Sequence, residues 1–130
     1  MHLVDLAAAT AAMRHAHMPV VTASVDSMVF LEPVHIGQLV ILKSSVNRVF
    51  NTSLEAGVKV VVEDLITGKV RHTSSAYLTF VALDPQGKRV QIPQVVPESP
   101  DEIRRWEAAG ARREYRLALR ASAKQRQKQS

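Results

Sequence analysis

The 130-residue sequence contains no cysteine, and only 5% of its residues are aromatic. Without cysteine the chain has no disulfide framework, no thiolate nucleophile and no thiolate ligand for zinc or an iron–sulfur cluster. No apolar run approaches the roughly 20 residues of a membrane-spanning helix, and no secretory signal pattern opens the chain. Because 46% apolar residues are enough to form a hydrophobic core, we expect a folded cytoplasmic protein.

Common catalytic and cofactor motifs are absent too. The sequence has no HExxH, GxSxG or GxGxxG pattern and no glycine-rich loop that would surround a phosphate. His15 and His17 are two positions apart, which places them on different sides of a helix and makes them a poor metal pair. We therefore predict neither a metal nor a bound cofactor.

Charge is concentrated at one end of the chain. Residues 1–99 carry equal numbers of basic and acidic side chains, so the formal net charge of +5 comes entirely from residues 100–130. A basic tail of this kind can bind nucleic acid or an anionic surface. Aromatic residues do not interleave with the basic ones, as a base-stacking platform requires. We therefore consider nucleic acid an unfavoured partner, and salt-dependent retention on DNA would test it. We also expect no membrane partner.

The hydrophobic pattern predicts an α+β fold. Residues 2–17 are rich in alanine and predict a helix. Four segments rich in β-branched residues follow and predict the strands of an antiparallel sheet, at 20–30, 38–50, 54–63 and 69–83. In the third strand, strict alternation predicts one buried face, beginning at Leu54, and one exposed face, beginning at Glu55.

The remainder of the chain predicts a separate, basic segment. Asp84-Pro85-Gln86-Gly87 is typical of a turn, and residues 89–97 contain two prolines and must be extended. Ser99 and Glu102 form a capping-box pattern that predicts a helix to about residue 124. We expect residues 122–130 to be disordered.

One carboxylate is a candidate for chemistry. Asp5 is the only acidic residue among the first 25, and it lies in the first turns of the alanine-rich helix. A carboxylate at a helix N-terminus is favoured by the helix dipole and the free amide groups there. Asp5 is therefore either a helix-stabilising acid with no further role or a functional group.

Several runs of the sequence resemble one family in order along residues 1–115. They are LVDLAAATAAMRHAH, TASVDSMVF, NTSLEAGVKVVVEDLITGKV and SSAYLTFVALDPQGK. These runs are similar to those of hotdog-fold acyl-CoA thioesterases, especially the cytosolic acyl-CoA hydrolases. The resemblance implies a hotdog domain over residues 1–88, with the sheet wrapped around the N-terminal helix, and a C-terminal segment over 89–130. It also implies a homo-oligomer, a dimer at least and often a trimer of dimers, with sheets joined edge to edge and active sites between subunits.

The resemblance implies roles for particular residues. Asp5 matches the helix carboxylate that acts as general base or nucleophile in thioester hydrolysis. The other implied contacts are with substrate, at Asn51, Thr52, Ser53 and Ser24, and with the phosphates of coenzyme A, at Arg48, Lys43, Arg71 and Arg89. Thr52 and Ser53 have an alternative interpretation as turn residues whose hydroxyls bond locally.

The match departs from the family at its start. The family pattern has a strand, an asparagine and a Gly-Gly step before the helix, whereas here Met1 lies four residues before Asp5. A four-stranded sheet is therefore expected, from either a shortened or a naturally short chain. The favoured function is hydrolysis of fatty acyl-CoA. The alternatives are a catalytically impaired CoA- or acyl-CoA-binding hotdog oligomer, and a dehydratase that would pair His2 with Asp5.

Overall fold

The computed structural model describes residues 2–28 and 35–129, which divide into two compact units, Met1–Val95 and Val96–Ser130. The first unit holds a helix followed by four strands: α1 (His2–Ala16), β1 (Val20–Met28), β2 (Gln38–Val49), β3 (Ser53–Asp64) and β4 (Val70–Ala82). The second unit holds one helix, α2 (Pro100–Gln129). These bounds confirm the predicted helix and strands, except that residues 29 and 30 of the first predicted strand lie outside the described part.

The sheet is antiparallel throughout, in the order β1-β4-β3-β2. Among the residues that the structure describes, β1 and β2 are therefore its two edge strands. The face toward α1 carries the apolar core, in which Leu54, Leu78 and Phe80 are fully buried. Cross-strand neighbours share a face, so the row Thr22, Phe80 and Leu54 runs across three strands under the helix.

Helix α1 packs on the sheet through small side chains. Val4, Ala8, Ala12 and Ala16 are buried at every fourth position, which is one stripe of the helix surface. Methyl side chains let the helix axis approach the sheet closely. The helix ends where His17 adopts a left-handed conformation (φ 55) and donates its amide to the Met13 carbonyl at 2.8 Å.

Two turns at the ends of β4 are held by aspartates. Asp64 Oδ1 accepts hydrogen bonds from the Ile66 and Thr67 amides at 2.9 and 3.1 Å. The Thr67 amide first, and the Ile66 amide second, lower the pKa of Asp64 because they stabilise its charged form. Asp84 accepts from the Gln86 and Lys88 amides in the same way, which confirms the predicted turn.

The second face of β3 is exposed only in part, so the prediction of an exposed face beginning at Glu55 was wrong for its first residue: Lys59 is exposed, but Glu55 is buried. Glu55 is fully buried on the face opposite α1, where it accepts a hydrogen bond from Asn47 Nδ2 at 2.9 Å. Asn47 itself is 6% exposed and lies directly over Gly57. A two-residue pattern shows which side chains share a face, but not what covers that face.

Residues 89–95 belong to the first unit. The Val90 amide bonds to the Ala82 carbonyl, and the Ile92 amide bonds to the Asn51 carbonyl at 2.8 Å. The Ile92 side chain is buried. The unit therefore continues seven residues past the predicted boundary at residue 88, because an extended segment containing proline still donates these two backbone hydrogen bonds.

In the second unit Ser99 is the predicted N-cap residue of α2. Ser99 Oγ accepts the Glu102 amide at 3.1 Å and contacts the Glu102 carboxylate at 3.2 Å. The helix continues to Gln129, so the predicted end near 124 and the predicted disorder after 122 were wrong. No glycine or proline follows Gly110, and alanine, arginine, lysine and glutamine all favour helix. Neither helix in the described residues is long and apolar enough to cross a membrane.

Candidate active site

A carboxylate and a hydroxyl meet where α1 passes over the edge strand β1. Thr22 Oγ1 donates a hydrogen bond to Asp5 Oδ1 at 3.1 Å. Asp5 is half-buried and Thr22 is exposed, so the pair is open to solvent on one side. Both residues follow from local structure, since Asp5 lies one position past the buried Val4 and Thr22 shares a strand face with the core-packed Val20.

The pair leaves one carboxylate oxygen available. Among the side chains that the structure describes, which do not include those of His2 and residues 26–28, Asp5 Oδ2 has no hydrogen-bond partner. A carboxylate held through one oxygen can accept a proton or a hydrogen bond through the other. The arrangement is therefore chemically suited to orient and deprotonate a small nucleophile such as water.

A large groove lies on the opposite flank of the same helix. It has a volume of about 810 Å³ and lies between α1 and β2, lined mainly by apolar residues that include Leu3, Leu6 and Val46. Neither Asp5 nor Thr22 lines it. Asp5 contacts β1 at one edge of the sheet, whereas the groove is bounded by β2 at the other edge. Groove and carboxylate are thus separate features of this unit.

The predicted substrate residues fall into two places. Asn51 and Thr52 lie in the turn between β2 and β3, and Ser53 is the first residue of β3, at the same end of the sheet as Thr22. Leu54 and Thr22 both pair with Phe80, so their backbones are about 10 Å apart at the usual strand spacing. Ser24 pairs instead with Thr79, beyond a register shift. The structure therefore places Ser24 on the face of the sheet away from Asp5.

The turn is held mainly through backbone groups. The Thr52 carbonyl accepts the Ala82 amide at 3.1 Å, and the Phe50 amide donates to the Ser53 carbonyl at 2.9 Å. The Thr52 and Ser53 side chains are half-buried, and Asn51 is exposed. These contacts keep the turn next to the end of β4.

The four predicted phosphate-binding cations do not form one cluster. Arg48 pairs in register with Glu55, and Arg71 pairs with Val62, seven positions farther along β3. At about 3.3 Å per residue, these arginines are roughly 23 Å apart and cannot bind the same phosphate. Lys43 lies in the middle of β2 opposite Lys59, and Arg89 forms a bridge with Leu83 after β4. Arg48 also lies 5.5 Å from the Phe50 ring centroid.

Histidines and carboxylates do not assemble into a metal site in the described residues. His15 Nε2 lies 2.7 Å from the Pro93 carbonyl, and His72 Nε2 bonds to the Ser74 carbonyl at 2.7 Å. Both rings therefore serve structural contacts. The His2 side chain, proposed above as a partner for Asp5 in a dehydratase, lies outside the described part of the structure.

Thr22 is the functional candidate that the sequence analysis did not select. It is 17 residues from Asp5, so no local pattern connects the two. The available signal was alternation in β1, which places Thr22 on the same face as Val20. A helix packed on that face would bring its side chains close to Thr22.

Comparison with known proteins identifies the family. The model of the "Thioesterase superfamily" matches residues 1–69. The chain is 40% identical over 116 residues to protein VdlD of Helicobacter pylori, an alignment that covers 89% of this chain and 66% of VdlD. It is 45% identical over 103 residues to the uncharacterized acyl-CoA thioester hydrolase YkhA of Bacillus subtilis, covering 79% of this chain and 60% of YkhA. The chain thus spans less than two thirds of the length of these relatives.

A solved structure extends the likeness to three dimensions. The acyl-CoA hydrolase of Staphylococcus aureus, determined with butyryl coenzyme A, coenzyme A and coenzyme A disulfide, matches with a TM-score of 0.88 and 38% identity. The match covers 98% of this chain and 78% of that one. The sheet order and the helix on its apolar face are therefore those of a hotdog fold, and the chain belongs to the thioesterase superfamily.

Proposed function

We propose that this protein hydrolyses acyl-CoA thioesters, with fatty acyl-CoA as its substrate class and Asp5 as the general base or nucleophile. The observation that carries the proposal is the Asp5 carboxylate, held by Thr22 at 3.1 Å on the open flank of α1 in a chain of the thioesterase superfamily. The names of the similar proteins support the same reaction.

A spacing in the S. aureus hydrolase supports the choice of residues. Two variants of that enzyme with solved structures replace an aspartate and a threonine, respectively, by alanine. These two residues are 17 positions apart in its chain, and Asp5 and Thr22 have the same separation here. A pair with the same residue types and the same spacing supports a common site. The structure adds that, in this chain, the two side chains share a hydrogen bond.

The chemistry assigns one step to the carboxylate. Asp5 Oδ2 takes a proton from water as the water oxygen attacks the thioester carbonyl carbon. The tetrahedral intermediate then expels the CoA thiolate by breaking the carbon–sulfur bond, which leaves a free acid, and the proton passes from Asp5 to the solvent or the thiolate. Positioned general bases contribute about 100- to 10,000-fold to such reactions. Thr22 keeps Oδ1 occupied and so turns Oδ2 toward the substrate.

The position of the pair supports an oligomeric site. Asp5 and Thr22 lie at β1, which is an edge strand of the sheet in the described residues. Joining this edge to that of a second copy would satisfy its backbone hydrogen-bonding groups and would enclose the open side of the pair. A similar acyl-CoA thioesterase of solved structure is hexameric. A rat protein that is 32% identical to this chain over 114 residues is named cytosolic acyl coenzyme A thioester hydrolase. We propose that the protein is a cytosolic oligomer whose active site lies where the β1 edges of two subunits join.

The test is hydrolysis of acyl-CoA esters of increasing chain length, followed by the release of free thiol. We expect turnover by the native protein and a loss of about 100- to 10,000-fold in Asp5→Asn. Thr22→Ala should lose about 2- to 10-fold, because one hydrogen bond to the carboxylate disappears, and Thr22→Ser should restore activity. Thr10→Ala is the matched control, since the Thr10 hydroxyl bonds to the Leu6 carbonyl of its own helix and Thr10 lies on the groove side of α1, away from Thr22.

Two results would contradict the proposal. Full activity in Asp5→Asn would remove the carboxylate from the mechanism. Measurable affinity for acyl-CoA without thiol release would instead identify a binding oligomer, the alternative that the sequence analysis left open.

A further inference from the structure

The second half of α2 is a solvent-exposed basic helix. Five cations and no acidic residue lie between Tyr115 and Gln129. Every residue from 117 to 128 is exposed. A helix that continues to Gln129 gives these charges a fixed arrangement, which the expected disordered tail would not.

Three of the cations form a row. Arg120, Lys124 and Lys128 are spaced four residues apart. In an α-helix each such step advances about 6 Å along the axis and rotates by about 40°. The three side chains, here named the basic row, therefore span about 12 Å on one side of the helix. Arg116 continues the same spacing toward the N-terminus.

We propose that the basic row is a docking surface for the phosphate backbone of duplex DNA. Charge complementarity is the argument, because DNA carries about one negative charge per 1.7 Å of axis and binds cations with release of counterions. An α-helix with its side chains is about 10–12 Å across and fits the B-DNA major groove, which is about 12 Å wide. The narrow major groove of A-form RNA does not admit such a helix.

Two other occupants, single-stranded nucleic acid and a membrane surface, fit this helix less well than duplex DNA. The lack of aromatic interleaving excludes a platform for single-stranded bases, but a duplex keeps its bases stacked and needs no such platform. A membrane surface requires a contiguous apolar face. The exposed large apolar residues here are Tyr115, Leu117 and Leu119. Tyr115 and Leu119 share one side of the helix, whereas Leu117 lies about 200° from each of them, so they form no contiguous apolar face.

The test uses the full-length protein and a fluorescently labelled 20-base-pair duplex, with anisotropy measured over a series of salt concentrations. We expect the logarithm of the association constant to fall linearly with the logarithm of salt concentration. The triple variant Arg120→Gln, Lys124→Gln, Lys128→Gln should reduce the magnitude of that slope by about 2.7, at about 0.9 for each phosphate contact. Circular dichroism checks that the helix is kept, since glutamine favours helix nearly as well as lysine or arginine.

The matched control removes the same charge elsewhere. Lys59, Lys69 and Lys88 are exposed cations of the first unit, and their triple substitution by glutamine should leave the slope unchanged. Four results would overturn the proposal: no binding by the native protein, equal effects of the two triple variants, tighter binding to a double-stranded RNA of the same sequence, or tighter binding to phosphatidylserine vesicles. Thiol release from acyl-CoA is measured in parallel, so failure here is distinguishable from failure of the proposed hydrolysis.

Discussion

Substitution of Gly57 by alanine should destabilise the fold through one side chain. A Cβ atom at this position would lie 2.8 Å from Asn47 Nδ2 and 3.5 Å from Asn47 Cγ and Oδ1. Ordinary contacts begin near 3.4 Å, so the amide group must move by about 0.6 Å. Asn47 is buried, and its Nδ2 donates to Glu55 at 2.9 Å, so this movement strains or breaks a buried hydrogen bond.

The expected cost follows from these contacts. Overpacking a buried site costs about 1–3 kcal/mol, and weakening a bond to a buried carboxyl costs a similar amount. The lower backbone entropy of alanine in the unfolded chain offsets about 0.4–1 kcal/mol. We therefore expect a loss of about 2 kcal/mol in the free energy of unfolding. With urea slopes of about 1–3 kcal/mol per molar, the midpoint of unfolding should fall by about 1 M.

The assay is urea unfolding at one fixed protein concentration, which keeps any association constant between variants. A double-mutant cycle with Asn47→Ala supplies the control, because that substitution removes the atoms which the new methyl group meets. In the Asn47→Ala background, Gly57→Ala should be neutral or slightly stabilising. The reasoning is refuted if Gly57→Ala is neutral in the native background, or if its cost is the same with and without Asn47.

Two further predictions concern stability. Asp64→Asn should lower stability at neutral pH, because the lowered pKa of Asp64 means that folding favours its charged form. This contribution to stability is present above pH 3.8, the ordinary pKa, and is lost as the pH falls through the lowered pKa of the folded state. The unfolding midpoints of native protein and variant should therefore converge in acid, and a difference that stays constant with pH would contradict the account. Ala8→Leu should cost about 1–3 kcal/mol, because Ala8 is fully buried between α1 and the sheet. Exposed Thr10→Leu on the same helix is its control, and an equal effect on thermal unfolding would contradict close packing of the stripe.

Hydrophobic pattern was sufficient to predict the elements of the first unit. The alanine run and the four segments rich in β-branched residues placed every element within one or two residues of its observed bounds in the described part. Pattern could not show that Glu55 is buried, since the covering of a sheet face depends on tertiary contacts. It also placed the end of α2 too early, because polarity indicates exposure and not loss of helix.

The candidate site was predictable only in part. Asp5 was identifiable as an isolated acid in an apolar helix, but Thr22 becomes its partner only when α1 lies over β1. Ser24, two positions farther along the same strand, was chosen from the resemblance. A register shift after Thr22 separates the two residues and places Ser24 on the other face, and a β-bulge of this kind leaves no clear mark in composition.

The row of methyl groups on the buried side of α1 has a consequence for the position of the Asp5 carboxylate. Ala8, Ala12 and Ala16 are identical and evenly spaced, so sliding the helix by one turn would present the sheet with nearly the same shape. Axial position must therefore come from directional contacts, which here are the bonds of Asp5 to Thr22, of Ser44 to the Ala7 carbonyl at 2.9 Å and of His15 to Pro93. The threonine that orients the carboxylate also helps to set how far along the sheet that carboxylate stands.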